Sequence, residues 1–121
     1  MEEKNYKNLD KKLQVLIDDI VKYSEVIPSG DIYGLSQKMK MSARLVSPCL
    51  KSLYQKSKRI DRIRSVIETN AYLEECKNYL SLSKTLRYGD TDSLVERVDD
   101  ISVLVHLNAQ ILNKVNSTIQ N

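Results

Sequence analysis

The sequence predicts an all-α protein that forms an antiparallel up-down-up-down four-helix bundle. Apolar residues recur at helical spacings of three and four over four long segments. Only three Gly and two Pro interrupt the 121 residues, and most of them fall between those segments. No segment alternates apolar and polar residues as a half-buried strand does. We therefore expect one domain, residues 1–121, with helices at approximately 6–27, 32–56, 59–87 and 93–119.

The first two helices follow from their apolar faces. The first face consists of Leu9, Leu13, Leu16, Ile17, Ile20 and Ile27, and the second of Leu35, Met39, Val46, Leu50 and Leu53. Pro28-Ser29-Gly30-Asp31 separates the two helices. Pro48 lies inside the second helix, where a proline removes a backbone hydrogen bond and usually kinks the axis. The segment Tyr54–Lys58 contains no Gly or Pro, so the boundary between helices two and three stays open at this point.

The third helix has a wide apolar face, which predicts contact with more than one neighbouring helix. This face consists of Ile60, Ile63, Ile67, Leu73, Cys76 and Leu80, widened by Tyr72, Tyr79, Leu82 and Leu86. Gly89 follows the last apolar residues and is the expected C-cap.

The fourth helix shows the clearest pattern. Ser93 and Glu96 form a predicted capping box. An a/d heptad seam follows: Leu94, Val98, Ile101, Val105, Asn108, Leu112, Val115 and Ile119. Asn108 either fixes register or oligomeric state, or lies at the seam edge bonded to water. A second apolar line, Leu104, Leu107 and Ile111, with Val95 and Val103, exceeds what one intramolecular seam needs and predicts self-association.

Basic charge is concentrated in one stretch, residues 36–64. It holds nine basic residues and one acid, Asp61, and so carries +8, whereas the whole chain carries only +3 and the remainder therefore −5. Clustered basic charge without an enzyme motif predicts binding of an anion, and nucleic acid is the first candidate.

Helical geometry aligns part of this charge. At about 100° per residue, Lys40, Arg44, Lys51 and, if the helix extends that far, Lys58 fall within about 40° of one line. The apolar residues of the same helix centre roughly 230° round from Lys40, so the basic row is predicted to face solvent or a partner. The alternative is an ordinary solvated helix face. Lys56, Arg59, Arg62 and Arg64 would extend the patch or meet a protein partner.

The residue pattern does not support catalysis or cofactor binding. His106 is the single histidine and is expected to be structural, because Val103 occupies the position where a di-iron bundle needs Glu. Two distant cysteines, Cys49 and Cys76, cannot supply a zinc site with it and are expected to be reduced, buried and inert. We expect no enzyme activity, no cofactor and no metal. The lack of a signal peptide and of a long apolar run predicts a cytoplasmic protein without a membrane contact.

Several short motifs carry a resemblance to a known family. In order, they are Ile27-Pro28, Tyr33-Gly34-Leu35, Lys56-Ser57-Lys58 with Asp61, Leu73-Glu74-Glu75, and Leu80 through Lys84 and Leu86 to Tyr88. They resemble the small bacterial four-helix-bundle family of the proteins encoded in intervening sequences of 23S ribosomal RNA genes and the accessory variability determinants of diversity-generating retroelements. The runs 53–59 and 79–86 are closer to the retroelement branch. The family's basic pair after Tyr-Gly-Leu matches only at Lys40, because Met41 follows it, and residues 47–53 lack the Asn, Glu and Gly typical of the intervening-sequence branch.

The resemblance implies a homopentamer round a central channel, which binds a reverse transcriptase and structured RNA or an RNA/cDNA template. Phosphate contacts from Lys40, Arg44, Lys51 and Lys58 would favour recognition of RNA shape over base reading, and exposed Tyr residues could stack on bases. The alternative function is a protein-interaction bundle of the intervening-sequence type, in which the basic row meets an acidic protein surface and nucleic acid has no direct role.

Overall fold

Between residues 2 and 120 the chain is all-α and forms four helices. The computed structural model describes residues 2–120 and the side chains of residues 4–114. The helices are α1 (Glu2–Ser24), α2 (Leu35–Gln55), α3 (Arg59–Thr85) and α4 (Asp92–Gln120), and no strand occurs in the described range. The helical prediction is confirmed, with boundaries that differ by a few residues.

The helices pack in chain order round one core. α2 packs against α1 and α3, and α4 packs against α3 and α1. Tyr6 of α1 packs against Tyr54 of α2, whereas Gln14 further along contacts Ser47, so α1 and α2 run antiparallel. Asn8 lies beside Asn108 of α4, whereas Asp19 pairs with Arg97, so α1 and α4 are antiparallel as well. Because α2 and α4 stand at opposite corners, their outer faces point away from each other.

The predicted apolar faces of α1 and α2 are confirmed. All eleven residues of these two faces are buried. In α4, Val98, Ile101, Val105 and Leu112 are buried, and Leu94 packs partly buried against them. Val115 and Ile119 lie outside the described side chains.

The face predicted for the first half of α3 is wrong. Ile60, Ile63 and Ile67 are exposed, whereas the buried positions of these turns are Arg62, Ser65 and Thr69. The two hydroxyl groups are hydrogen-bonded: that of Thr69 donates to the Ser65 carbonyl one turn earlier at 2.6 Å, and that of Ser65 donates to Ser52 of α2 at 3.2 Å. Hydropathy does not register such bonds. In the second half of the helix Leu73, Cys76 and Leu80 are buried as predicted, whereas Leu82, which was predicted to widen this face, is exposed.

Loop chemistry explains the shifted boundaries. α2 begins at Leu35, because Gly34 has a left-handed backbone (φ 63°) and Asp31 accepts the Leu35 N–H at 2.9 Å. α3 ends in a Schellman motif, in which Arg87 (φ 64°) is the left-handed residue. Gly89 is therefore not the C-cap that the sequence predicts. Likewise α4 begins at Asp92, so Ser93 lies inside the helix and does not form the predicted cap.

Candidate nucleic-acid interface

α2 carries three of the predicted phosphate-binding residues on one side. Lys40 is half-buried, and Arg44 and Lys51 are exposed. The helix runs without interruption through Pro48, so the three residues keep their helical alignment. They span about 16 Å along the axis. Burial of the opposite apolar face fixes this row, which we call the α2 row, on the outside of the bundle.

Lys58 does not belong to the α2 row. α2 ends at Gln55, and Lys58 has an extended backbone (φ −90°, ψ 137°) at the start of α3. Lys58 would align with the other three residues only if the second helix extended to residue 58, and it does not. Lys56, Lys58, Arg59 and Arg64 are all exposed and form a second basic cluster at the α2–α3 turn.

Arg62 departs from the sequence prediction most clearly. Only 2% of the residue is exposed. Its guanidinium donates from Nε to Asn113 Oδ1 at 2.7 Å and from Nη1 to the Ser57 carbonyl at 2.6 Å. The expectation that Arg62 extends the surface patch is wrong, because these bonds hold its charge inside the bundle between the α2–α3 turn and α4.

The α2 row is not neutralised within the described part of the chain. The ion pairs Lys77–Asp99, Lys84–Asp92 and Arg97–Asp19 join residues of α1, α3 and α4 and involve no residue of α2. None of Lys40, Arg44 and Lys51 forms an ion pair with a described side chain. Uncompensated, aligned positive charge attracts phosphate and makes binding salt-dependent.

An exposed apolar stripe beside the second basic cluster was missed by the sequence interpretation. Ile60, Ile63 and Ile67 are 56%, 38% and 62% exposed. Their spacing of three and four defines one stripe, which we call the isoleucine stripe, and Arg59 and Arg64 flank it as g and e residues flank a coiled-coil seam. The spacing alone could not assign the stripe to the outer face. An exposed apolar stripe of this kind is typical of a protein contact.

Only one tyrosine is well placed to stack on a base. Tyr33, in the α1–α2 loop, is 46% exposed. The other six pack partly buried against the core: Tyr6, Tyr23, Tyr54, Tyr72, Tyr79 and Tyr88. The expectation of exposed tyrosines therefore narrows to Tyr33, which precedes α2 by two residues.

The other polar residues of interest have structural surroundings. His106 Nε2 lies 3.0 Å from Asn70 Nδ2, and Ser102 donates to Asn70 Oδ1 at 2.9 Å, which links α3 to α4. Asn108 is half-buried and lines a groove between α1 and α4 together with Asn5 and Asn8.

The described residues hold no group of three or more His, Cys, Asp or Glu side chains that could bind a metal ion. None of their helices has an apolar segment long enough to traverse a bilayer. The cysteines are free: Cys76 is buried and Cys49 half-buried.

Comparison with known proteins finds no matching family model, no matching curated protein and no matching solved structure.

Proposed function

We propose that the protein is a non-catalytic, homo-oligomeric nucleic-acid-binding scaffold, an accessory subunit of a diversity-generating retroelement reverse transcriptase. The observation that carries the proposal is the α2 row, since three cations on one outer face have no ion-pair partner among the described side chains. Structured RNA, or an RNA/cDNA template, is the proposed ligand. The resemblance described above supports the retroelement assignment and the homopentamer.

The residues divide into two groups with different roles. Lys40, Arg44 and Lys51 would contact phosphates, which give affinity and orientation but little sequence information. Lys56, Lys58, Arg59 and Arg64 would extend the electrostatic field toward the α2–α3 turn. Recognition would depend on RNA shape, because the deep, narrow major groove of A-form RNA keeps side chains away from the base edges and leaves the phosphates accessible to the row.

The isoleucine stripe supports a protein partner on the neighbouring face. An amphipathic helix with its own apolar seam would cover Ile60, Ile63 and Ile67, and acidic residues beside that seam would pair with Arg59 and Arg64. The reverse transcriptase is the proposed partner.

The exposed isoleucine stripe also favours the second candidate function, a protein-interaction bundle without a direct nucleic-acid role. In that case the α2 row would contact an acidic protein surface. The two candidates differ in the effect of reversing the row on RNA affinity.

The decisive experiment compares two triple variants in RNA-binding assays with a structured RNA hairpin. Lys40→Glu/Arg44→Glu/Lys51→Glu reverses the row, and Lys4→Glu/Lys11→Glu/Lys22→Glu changes net charge equally on exposed α1 positions. The proposal expects the row variant to lose at least about tenfold more affinity than the control, since each lost phosphate contact removes counterion release. Equal losses, or weak binding by the unmodified protein, would instead favour the protein-interaction function.

The partner assignment has its own test. Co-expression with the reverse transcriptase of the same locus should give a complex that Ile63→Glu/Ile67→Glu abolishes and that Leu45→Glu, on exposed α2 surface, leaves intact. A complex that survives the stripe variant would remove this face from the contact.

A further inference from the structure

The outer face of α4 carries an exposed apolar stripe that the bundle does not cover. Val103, Leu107 and Ile111 are 58%, 49% and 47% exposed. Asp100 and Lys114 are exposed at its two ends. At 100° per residue all five lie within about 40° of the direction of Leu107, so they form one line along the helix, which we call the α4 stripe.

The α4 stripe is symmetric in spacing and antisymmetric in charge. From Asp100 to Lys114 the steps are three, four, four and three residues, with Leu107 at the centre. If two such stripes meet antiparallel, Leu107 lies on Leu107 of the second copy and Val103 lies on Ile111. Each Asp100 then meets a Lys114, once at each end of the contact.

From this arrangement we propose that α4 is a self-recognition surface, which pairs antiparallel with α4 of a second copy across a two-fold axis at Leu107. The contact is isologous, because the same residues supply both sides. A parallel pairing would place Asp100 on Asp100 and Lys114 on Lys114, and this repulsion selects the antiparallel arrangement. The proposal rests on the self-association within the proposed function and is independent of nucleic-acid binding. Because a two-fold contact joins two copies, it would pair two homopentamers and would not itself close the ring.

A groove beside the stripe gives the contact additional area. Between α1 and α4 lies an open groove of about 360 Å³, whose apolar lining includes Val15, Leu16, Ile101 and Leu104. Half of Val15 is exposed there. The five-residue line is about 21 Å long, and specific interfaces bury roughly 800 Å² per partner. The groove is contiguous with the stripe through Asp100 and provides apolar surface that a single helix ridge lacks.

The isoleucine stripe on α3 does not have this self-complementarity. Two exposed arginines, Arg59 and Arg64, flank it, and the first fully exposed acidic residue along the helix is Glu68. Meeting itself would bring arginines of both copies together. Charge therefore assigns the second copy to α4 and leaves the isoleucine stripe for a different partner.

Sedimentation velocity over a concentration series tests the contact. The unmodified chain should reach twice its 13.9 kDa mass through this contact, or a multiple of the dimer if other contacts also form. Leu107→Lys places two like charges on the axis and should weaken this association at least about tenfold. Ile67→Lys, on the exposed isoleucine stripe, is the matched control and should leave it unchanged. A chain that stays monomeric, or an assembly that Leu107→Lys does not weaken, would overturn the proposal.

Cysteine cross-linking tests the register without disturbing the apolar contact as strongly. In a Cys49→Ser background, Leu107→Cys should form a disulfide with itself under mild oxidation, because it lies on the two-fold axis. Val103→Cys should cross-link in a mixture with Ile111→Cys and far less by itself. Cross-linking of Val103→Cys to itself in preference to Ile111→Cys would contradict the antiparallel register.

Charge reversal tests the ends of the contact. Asp100→Lys should weaken dimerisation at least about threefold, since two exposed ion pairs become repulsive. Adding Lys114→Asp should restore it, and failure of this restoration would count against the assigned pairing. RNA binding separates the two proposals: if the dimer forms as described while the α2 row variants bind RNA normally, the proposed function fails and the α4 contact stands.

Discussion

Arg62 Nε donates to Asn113 Oδ1 at 2.7 Å, which joins the start of α3 to the C-terminal half of α4. The same guanidinium donates to the Ser57 carbonyl in the turn that ends α2. One buried cation thus connects three helices at one end of the bundle. Its charge stabilises the fold there and is not available to a ligand.

Replacement of Arg62 should therefore affect stability and leave ligand binding almost unchanged. Arg62→Ala leaves the Ser57 carbonyl and the Asn113 amide without their donor, and should lower the free energy of unfolding by about 2–4 kcal/mol. Arg64→Ala, an exposed neighbour, should change it by less than about 0.5 kcal/mol. Urea denaturation measures both. Equal stabilities, with a selective loss of RNA affinity in Arg62→Ala, would contradict the structural role.

The pair Tyr88–Asp31 should make the loops at the other end of the bundle sensitive to pH. The Leu35 N–H and the Tyr88 hydroxyl, which donates at 2.8 Å, lower the pKa of Asp31 below its ordinary value. Its contribution to stability is then present above about pH 4 and is lost as pH falls through the lowered pKa. Asp31→Asn should reduce stability at pH 6, and the difference from the unmodified protein should shrink toward pH 2. A difference that is constant over this range would contradict the linkage.

The stabilising contribution of Tyr88 changes with pH in the opposite direction to that of Asp31. Its hydrogen bond to Asp31 raises the pKa of the Tyr88 hydroxyl. The contribution of the hydroxyl is therefore present below about pH 10 and is lost as pH rises through the raised pKa. Tyr88→Phe should be less stable than the unmodified protein at pH 7, and the gap should narrow in strong alkali. Spectrophotometric titration of tyrosine ionisation in the two proteins provides the check.

The two cysteines should differ in reactivity toward a thiol reagent. Burial raises the pKa of the Cys76 thiol to about 12, whereas Cys49 is half-buried and its pKa is raised chiefly by partial burial. Because the thiolate is the reactive species, Cys49 should be labelled first at pH 8, and Cys76 only as the protein unfolds. Peptide mapping after timed labelling distinguishes the sites. Comparable initial rates at both would be inconsistent with the packing of α3.

Gly89 should resist substitution for a packing reason. A Cβ at this position would lie 2.9 Å from the Tyr23 hydroxyl, which itself lies 2.6 Å from Ser83 Oγ. Gly89→Ala must displace the ring and weaken that hydrogen bond, with a loss of about 1 kcal/mol. Gly30→Ala is the control, since nothing lies within 4 Å of its added Cβ. Thermal unfolding that ranks the two variants equally would contradict the close contact.

Periodicity predicted the faces of α1, α2 and α4 because their buried positions are almost all aliphatic. It failed in the first half of α3, where Ser65 and Thr69 are buried with their hydroxyls hydrogen-bonded while Ile60 and Ile67 remain outside. Hydropathy ranks these residues in the reverse order. Hydropathy therefore predicts the wrong buried face for a helix that exposes several isoleucines.

The candidate site was predictable to the extent that it depends on one helix. Lys40, Arg44 and Lys51 keep the alignment that helical geometry gives them. Lys58 was misplaced in the row because no Gly or Pro marks the end of α2. Arg62 was misplaced because its hydrogen-bond acceptors lie on two distant segments, the α2–α3 turn and α4. Such acceptors come together only in the tertiary structure.

The most direct test of the central claim is the salt dependence of RNA binding by the unmodified protein and by Lys40→Gln/Arg44→Gln/Lys51→Gln. Three phosphate contacts predict that neutralising the row makes the slope of log affinity against log salt shallower by about 2 to 3, at roughly 0.7 to 0.9 per contact. Lys4→Gln/Lys11→Gln/Lys22→Gln should leave the slope close to that of the unmodified protein. The same slope for the row variant as for the unmodified protein would show that the α2 row does not contact phosphate.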